Sequence, residues 1–283
     1  MIRKSTGERI TPYVFSCLIA VTYLVPLWLL IVTSFRSTGA GIFRDWNPFS
    51  VKAFVPYEFS TEGVVQLFSG ASKFPKALLN TFVVCGISIV VGIFVNGLAA
   101  FGLARFQFPG RNILFGITLF SYMVPFQSVV IPLATLSSRI GLVDSLFALI
   151  LPSLANGFLI FLFRQFFLGI PNEFYEAGVV DGATIWQALV HIYVPLTKTV
   201  MITAGLVLFL AHWNSFFWPM VIIRSSTNWV IQLALAALQS ETRLPNWGPV
   251  LSAALITIAV PVAIVVSLQR YFRVSLIEGG TKG

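Results

Sequence analysis

The sequence contains few charged residues and almost no cysteine or histidine. Only 10% of its 283 residues are charged and 57% are hydrophobic, whereas a soluble domain carries about 25% charged residues. This composition predicts a membrane protein. Cys17 and Cys85 lie inside apolar runs without a spacing partner, which predicts two buried free thiols and no structural disulfide. His191 and His212 do not have a helical spacing that suits a shared metal ion, so we expect no metal site.

Several motifs that carry chemistry are also missing. There is no GxxxxGK[ST] sequence, so the chain is not expected to hydrolyse ATP in the P-loop manner. The absence of HExxH, GxSxG and paired intramembrane carboxylates argues against an intramembrane enzyme. The net charge of +8 is spread over the ends of apolar runs, which favours membrane anchoring over nucleic-acid binding. We therefore expect no catalytic residues and no cofactor in this chain.

Long charge-free windows determine the predicted fold class. A bilayer core of about 30 Å needs about 20 helical residues, and six windows approach or exceed that length. They predict an all-α polytopic membrane protein with six transmembrane helices in a single domain over residues 1–283. The predicted spans are residues 12–35, 78–104, 113–136, 145–164, 199–223 and 247–269. Kinks within these spans are predicted at Pro125, Pro132, Pro152, Pro219 and Pro261.

Lysine and arginine at the span ends predict the orientation. An even number of spans leaves both termini on one side, and the basic N-terminus with Arg3, Lys4 and Arg9 favours the cytoplasm. Residues 36–76 and 224–243 are then outside. Within the second of these segments, residues 229–238 are apolar enough to predict a short interfacial helix.

A polar segment, residues 172–195, interrupts the apolar sequence. Its carboxylates would cost several kcal/mol in hydrocarbon, so it must lie outside the bilayer. A first helix is predicted over residues 172–181, closed by Gly182 in a positive-φ conformation. Thr184 and Gln187 have capping-box spacing, which predicts a second helix from Ile185, and Pro195 is expected to kink the passage into the next span. The segment holds three of the ten acidic residues: Glu173, Glu176 and Asp181.

The order of residues in this segment is similar to a known signature. Glu176-Ala177-Gly178, Asp181-Gly182-Ala183 and Val194-Pro195-Leu196 resemble the EAA signature of bacterial ABC importer permeases, particularly the carbohydrate branch typified by the maltose system. Gly178 stands where that family usually has Ala, which predicts a softer first helix. The resemblance continues at Phe163-Arg164-Gln165-Phe166-Phe167, Ala104-Arg105-Phe106-Gln107-Phe108-Pro109-Gly110, Trp213-Asn214 and Gln269-Arg270.

This resemblance implies a type I ABC importer permease in the bacterial cytoplasmic (inner) membrane. The chain would pair with a second homologous permease, receive a carbohydrate or related polyol or sugar derivative from an extracytoplasmic solute-binding protein, and rest on two ATP-binding cassette ATPases that hold ATP and Mg. The outside segment 224–243 would touch the binding protein. The implied ATPase-coupling residues are Glu173, Glu176, Ala177, Gly178, Asp181, Gly182, Ala183 and Pro195. Two simpler roles stay open: the acidic residues keep the loop soluble, or Asp181 caps the following turn.

Polar residues inside the spans suggest a substrate path. Aromatic faces stack on sugar rings and amides bond hydroxyl groups, which favours Asn156, His212, Trp213, Asn214 and Ser215, with helix packing as the alternative. His212 is expected to be a hydrogen-bonded packing residue and not a proton carrier. Asn80 and Asn96 are expected to form interhelical hydrogen bonds. Two other function classes remain at this stage: a stand-alone secondary carrier or channel for small solutes, and an intramembrane enzyme.

Overall fold

A computed structural model describes residues 6–36, 50–55, 59–70, 72–240 and 247–280. Over these ranges the chain is helical, and the only β pairing is an isolated antiparallel bridge between Arg36 and Phe59. The predicted all-α fold class is confirmed. The helices are α1 (Thr6–Ser34), α2 (Glu62–Leu67), α3 (Phe74–Arg105), α4 (Arg111–Met123), α5 (Phe126–Arg139), α6 (Leu146–Ile150), α7 (Gly157–Gly169), α8 (Asn172–Val180), α9 (Ile185–Ala188), α10 (Val194–Leu196), α11 (Lys198–Trp213), α12 (Phe217–Ile222), α13 (Ile231–Ser240) and α14 (Trp247–Gly280).

Three of these helices are individually long and apolar enough to cross a membrane. They are α1, α3 and α14, with apolar stretches Pro12–Ser34, Phe74–Arg105 and Trp247–Tyr271. Three further spans arise if each sharply bent helix pair is counted as one: α4 with α5, bent by 98°; α6 and its 3₁₀ extension with α7, bent by 43°; and Ile185–Leu196 with α11, bent by 79°. Counted in this way, the described residues contain six spans.

The breaks have local chemical causes. Pro125 is the N-cap of α5 and has no N–H to continue α4. Asn156 caps α7 with its side-chain oxygen, which accepts from the N–H groups of Phe158 at 3.0 Å and Leu159 at 3.2 Å. The first break therefore occurs at a proline that cannot donate a backbone hydrogen bond. The second occurs at an asparagine whose side chain accepts hydrogen bonds from backbone N–H groups.

Three of the predicted spans are interrupted, and within residues 199–223 the break lies before the kink predicted at Pro219. The structure has α11 up to Trp213, a break, and then the short helix α12. Pro219 lies in the first turn of α12 and has no N–H to donate to the turn before it. The Asn214 N–H and side-chain amide both donate to Leu210 O, at 3.1 and 2.9 Å, at the end of α11. Hydropathy alone does not register either effect.

The described residues fall into two compact units. The first comprises residues 1–75 and 235–260. Within it, the buried Arg36 guanidinium donates to the carbonyls of Lys52 and Val55, and Trp28 Nε1 donates to Phe54 O at 3.0 Å. The 3₁₀ turn that follows residue 50 is thereby attached to the end of α1.

The second unit comprises residues 76–234 and 261–283 and contains two apolar clusters. One cluster joins α3, α7, α11 and the π-helical turn Leu189–Tyr193, with the aromatic rings of Phe101, Phe163, Phe167 and Tyr193 at its centre. The other joins α5, α6, α12 and the segment after α12, and includes Trp218, Ile222 and Val230. The candidate sites lie beside these two clusters.

Buried amides in α3 hold other elements by hydrogen bonds, as predicted. Asn80 Nδ2 donates to the carbonyls of Thr227 and Trp229, each at 2.9 Å. Asn96 donates to Leu154 O at 2.8 Å and accepts from the Asn156 N–H at 2.7 Å. The interhelical role predicted for both amides is confirmed.

The cysteine prediction is correct for one residue and wrong for the other. Both thiols are free, and Cys85 is buried. Cys17 is exposed on the surface of α1 because nothing in the described chain packs against that face. Its apolar surroundings in sequence reflect a helix that is hydrophobic all round and not a protein core.

Candidate functional site

The polar loop begins with a helix that ends in a Schellman motif. Helix α8 runs over Asn172–Val180, one residue shorter than predicted, with Asp181 as its C-cap. Gly182 follows at φ 81°, donating to Val179 O at 3.0 Å, and the Ala183 N–H reaches back to Gly178 O at 2.8 Å. A residue with a side chain would be strained at this φ, so glycine is required by the turn itself. The predicted helix closure by Gly182 is confirmed.

The second helix of the loop starts where the capping box predicted. Thr184 Oγ1 accepts from the Gln187 N–H at 3.3 Å, and Gln187 Oε1 accepts from the Thr184 N–H at 2.8 Å, so α9 begins at Ile185. A π-helical turn follows over Leu189–Tyr193 and leads into α10, which contains Pro195. The chain then bends by 79° at Thr197 into α11. The loop is thus two capped helices joined by a fixed turn.

The loop presents an apolar surface next to its carboxylates. Glu173, Glu176 and Asp181 are exposed, as is Ala177. The exposed large apolar side chains on the same loop are Phe174 (50%), Val179 (51%), Val180 (87%), Ile185 (50%) and Trp186 (54%). Outside a bilayer, several large exposed apolar side chains on one short segment are typical of a surface that binds another protein.

Gly178 allows the two loop helices to approach each other. A Cβ built on this residue would lie 2.8 Å from Ile192 Cδ1 and 3.9 Å from Ala183 Cβ. The first contact is with the far end of a flexible side chain. The departure from the alanine of the EAA signature therefore coincides with an isoleucine that fills the space of the missing methyl group.

Arg105 fastens the base of the loop to α3, a role that sequence reasoning did not identify. Its guanidinium donates to the carbonyls of Phe167 and Ile170 at the end of α7 and to Asn172 Oδ1 at the start of α8. It also lies 4.7 Å from the centroid of the Tyr193 ring. The sequence does place a basic residue at the C-terminal end of α3, where it can bond to free carbonyls. It does not indicate which carbonyls, because the partners are more than sixty residues away in sequence.

Tyr193 is the buried anchor of the π-helical turn. None of the side chain is exposed, and its ring packs edge-on against Phe101 and Phe167 with centroids 5.1 and 5.7 Å away. The side chain therefore fixes the turn through packing.

Four of the five predicted substrate-path residues line one cavity. The cavity has a volume of about 670 Å³ and lies entirely within the second unit. Asn156, His212, Asn214 and Ser215 contribute to its lining, together with the rings of Phe126, Phe216, Phe217 and Trp218. His212 Nε2 is buried and has no hydrogen-bond partner. Among the described residues that line this cavity none is charged.

Trp213 does not belong to that lining, and its predicted role as a stacking platform is corrected. The side chain is fully buried at 0% exposure, with Phe82 and Phe209 at centroid distances of 5.3 and 5.2 Å. The neighbouring residue His212 lines the cavity, whereas the Trp213 ring packs between helices α3 and α11. A sugar ring has no access to it in this conformation, and Trp218 and Phe217 supply the aromatic surface instead.

The absence of a metal site remains a prediction from the sequence. Within the described ranges, no group of three or more His, Cys, Asp and Glu side chains is arranged to hold a metal ion.

Comparisons with known proteins agree with this architecture. Residues 88–276 match the family described as binding-protein-dependent transport system inner membrane component. The arabinooligosaccharides transport system permease protein AraQ of Bacillus subtilis (strain 168) is 30% identical over 279 residues, covering 97% of this chain and 96% of that protein. The sn-glycerol-3-phosphate transport system permease protein UgpE of Rhizobium meliloti (strain 1021) is 34% identical, covering 78% and 79%.

A solved structure has the same fold. A chain of a bacterial ABC transporter involved in the import of the acidic polysaccharide alginate superposes with a TM-score of 0.82 at 23% identity, covering 96% of this chain and 100% of that one. The long family match and the full-length relatives assign function to the chain as a transport component and not as an enzyme. This protein belongs to the binding-protein-dependent transport system inner membrane components, and it is a multi-pass permease subunit of an ABC importer.

Proposed function

We propose that this permease moves a carbohydrate and is coupled to two partner ATPases through residues 172–195, the coupling loop. The observation that carries the proposal is the construction of this loop. A Schellman turn and a capping box hold its two helices at a fixed angle, and the Arg105 guanidinium fixes its base to α3. A rigid element with an exposed apolar surface suits transmission of movement from one subunit to another.

The proposed assembly has further parts. A second homologous permease completes the pore, an extracytoplasmic solute-binding protein delivers substrate to the outside segments, and ATP and Mg are bound by the ATPases alone. Both termini and the coupling loop are cytoplasmic, and residues 1–283 act as one transmembrane domain. The exposure of helix α1 supports this assembly. None of its most apolar 18-residue stretch is buried within the described chain, so lipid or a partner subunit has to cover it. Contact with the ATPases is assigned to Glu173, Glu176, Ala177, Gly178, Asp181, Gly182, Ala183 and Pro195.

The uncharged cavity favours a neutral sugar. Amide, imidazole and hydroxyl groups can hydrogen-bond to the hydroxyl groups of a sugar, and aromatic rings can stack on its ring. An anion in this cavity would have no cationic side chain to balance its charge. Relatives are named for neutral arabinooligosaccharides and for the anion sn-glycerol-3-phosphate. The residues proposed to contact substrate are Asn156, His212, Asn214 and Ser215, and we assign to His212 Nε2 a hydrogen bond with a substrate hydroxyl.

The coupling proposal is tested by gentle copurification of the tagged native protein, with the companions identified by mass and ATPase activity measured. The Gly182→Asp variant should lose the ATPases or uncouple them. Gly182→Asn is the matched control, since Asn has nearly the same size but tolerates positive φ. If Gly182→Asn stays coupled to the ATPases, the defect of Gly182→Asp is due to the turn conformation or the added charge and not to side-chain size. Recovery of the wild-type protein alone, with transport unchanged in Gly182→Asp, supports a solitary carrier instead.

The substrate proposal is tested with the same complex and its binding protein. Transport of a neutral pentose oligosaccharide is compared with that of sn-glycerol-3-phosphate. His212→Ala should raise the KM for the neutral sugar by about three- to tenfold, the loss expected for one hydrogen bond of about 0.5–1.5 kcal/mol. Thr203→Val is the control, since this hydroxyl on the same helix bonds Thr199 O at 3.0 Å and lies outside the cavity lining. Preference for the phosphate ester, or an equal effect of both variants, contradicts the assignment.

A further inference from the structure

The segment between α12 and α13 is held by an unusual concentration of hydrogen bonds on one carboxylate. We call residues 222–231 the strap. Asp144 lies in the turn between α5 and α6 with φ 59°, and its N–H donates to Ile222 O at 2.9 Å. Its Oδ1 accepts from the N–H groups of Arg224 at 3.1 Å and Ser225 at 3.0 Å, and from Ser225 Oγ at 2.9 Å. Asn228 Nδ2 also donates to the Asp144 carbonyl at 2.6 Å.

The other side of the strap is tied to α3. Asn80 donates to the carbonyls of Thr227 and Trp229, and Thr81 Oγ1 accepts from the Ile231 N–H at 2.8 Å. The strap is therefore suspended between a short turn and the first turns of α3. Most of the hydrogen bonds that attach the strap to other elements are therefore made by the side chains of Asp144, Asn80 and Thr81.

The strap also forms part of the cavity wall. Val230 lines the cavity, as does Thr81, which holds the next residue of the strap. Val230 and Ile223 are 3% and 6% exposed and pack in the apolar cluster that includes Trp218. Displacement of the strap would therefore remove one wall of the cavity.

We propose that Asp144 is a positioning residue that latches the strap across the outward side of the cavity, and that the cavity opens outward when the strap leaves Asp144. The proposal rests on the proposed function for its orientation, in which the strap lies outside. One carboxylate oxygen receives several donors at once, so loss of a single group releases several backbone contacts together. Because α13 follows the strap directly, a protein bound to the outside segment 224–243 would act on this latch.

The latch is not a physiological pH switch. Hydrogen bonds from the Ser225 N–H and hydroxyl, together with the Arg224 and Asn228 donors, lower the Asp144 pKa to about 2. The carboxylate is therefore ionised near neutral pH, and in this proposal displacement of the strap releases the latch.

The test measures access to the cavity from each side of the membrane. Ala211, an exposed residue of the cavity lining, is changed to Cys in a Cys17→Ala, Cys85→Ala background. A membrane-impermeant maleimide is applied to right-side-out and to inside-out vesicles, and the labelling rate is measured. Val180→Cys on the coupling loop, where the native side chain is 87% exposed, reports the cytoplasmic side and so tests the proposed orientation independently.

Asp144→Ala should raise the labelling rate of the cavity cysteine from outside by about tenfold or more, as expected for loss of several charge-assisted bonds. Ser225→Ala removes one donor and should give a smaller increase, which provides a test if the first variant does not assemble. Arg139→Ala removes a charge from the end of α5 and should leave the rate unchanged. An outside rate unaffected in both latch variants, or an equal increase from both sides, overturns the proposal. Labelling of Val180→Cys from outside contradicts the proposed orientation and not the latch itself.

Discussion

Replacement of Arg105 by alanine should release the coupling loop from α3 without unfolding the membrane spans. The guanidinium contacts the last turn of α7, the first residue of α8 and the ring of Tyr193. Alanine removes all of these contacts together. Lysine retains the charge but lacks the planar fork that reaches several acceptors, so Arg105→Lys should give an intermediate result.

The size of the effect follows from these contacts. A hydrogen bond from a charged donor contributes about 1.5–3 kcal/mol, and a cation–π contact at a partly exposed site about 0.5–1 kcal/mol. The contributions are not additive, and Arg105 is only partly buried. We therefore expect a loss of about 2–4 kcal/mol in docking of the loop base, which corresponds to about 30- to 1,000-fold in the opening equilibrium.

Hydrogen exchange followed by mass spectrometry measures that equilibrium. Peptides covering residues 172–188 should exchange about 30-fold faster or more in Arg105→Ala, because their amides exchange through local opening. Peptides from α11 serve as the internal reference and should not change. Unchanged exchange in the loop, or an equal acceleration in α11, refutes the role of Arg105 as a local fastener.

Three further outcomes are expected. Gly178→Ala should change the melting temperature little, because a gain of up to about 1 kcal/mol in helix propensity is offset by displacement of Ile192, whereas adding Ile192→Val should reveal the gain in a double-mutant cycle. Asn96→Ala should lower the free energy of unfolding by about 2–4 kcal/mol, since it removes a fully buried amide and leaves the Leu154 carbonyl and the Asn156 N–H without that partner, as measured by denaturation in detergent. Because the Asp144 pKa is lowered, its stabilising contribution should be complete above the unfolded value of about 3.9 and be lost as the pH falls through about 2, a pH dependence of the melting temperature that Asp144→Asn should lack.

Sequence reasoning succeeded where the controlling interactions are local. The capping box of Thr184 and Gln187 spans three residues, and the need for glycine at position 182 is a property of one backbone conformation. Both were readable from spacing alone. The same applies to Asn80 and Asn96, because an amide in an apolar span must find a partner even when the partner is unknown.

The remaining features depend on tertiary structure. Asp144 and Ser225 are eighty-one residues apart, and Arg105 reaches residues sixty-two to sixty-seven positions away. No local pattern indicates such partners. The burial of Trp213 could not be predicted for a related reason: adjacent residues on a helix point in different directions, and which of them faces a cavity is decided by the neighbouring helices.

The π-helical turn Leu189–Tyr193 holds one residue more than a regular α-helical turn. Each residue of a regular α-helix advances the side chains by about 100°, so one residue added to a regular helix would rotate α9 by about that angle relative to α10. A π turn takes up the added residue within one wider turn, and the helical segments before and after it keep their directions. The direction of the docking surface on α9 is therefore preserved across a one-residue difference in chain length that a regular helix would convert into a rotation.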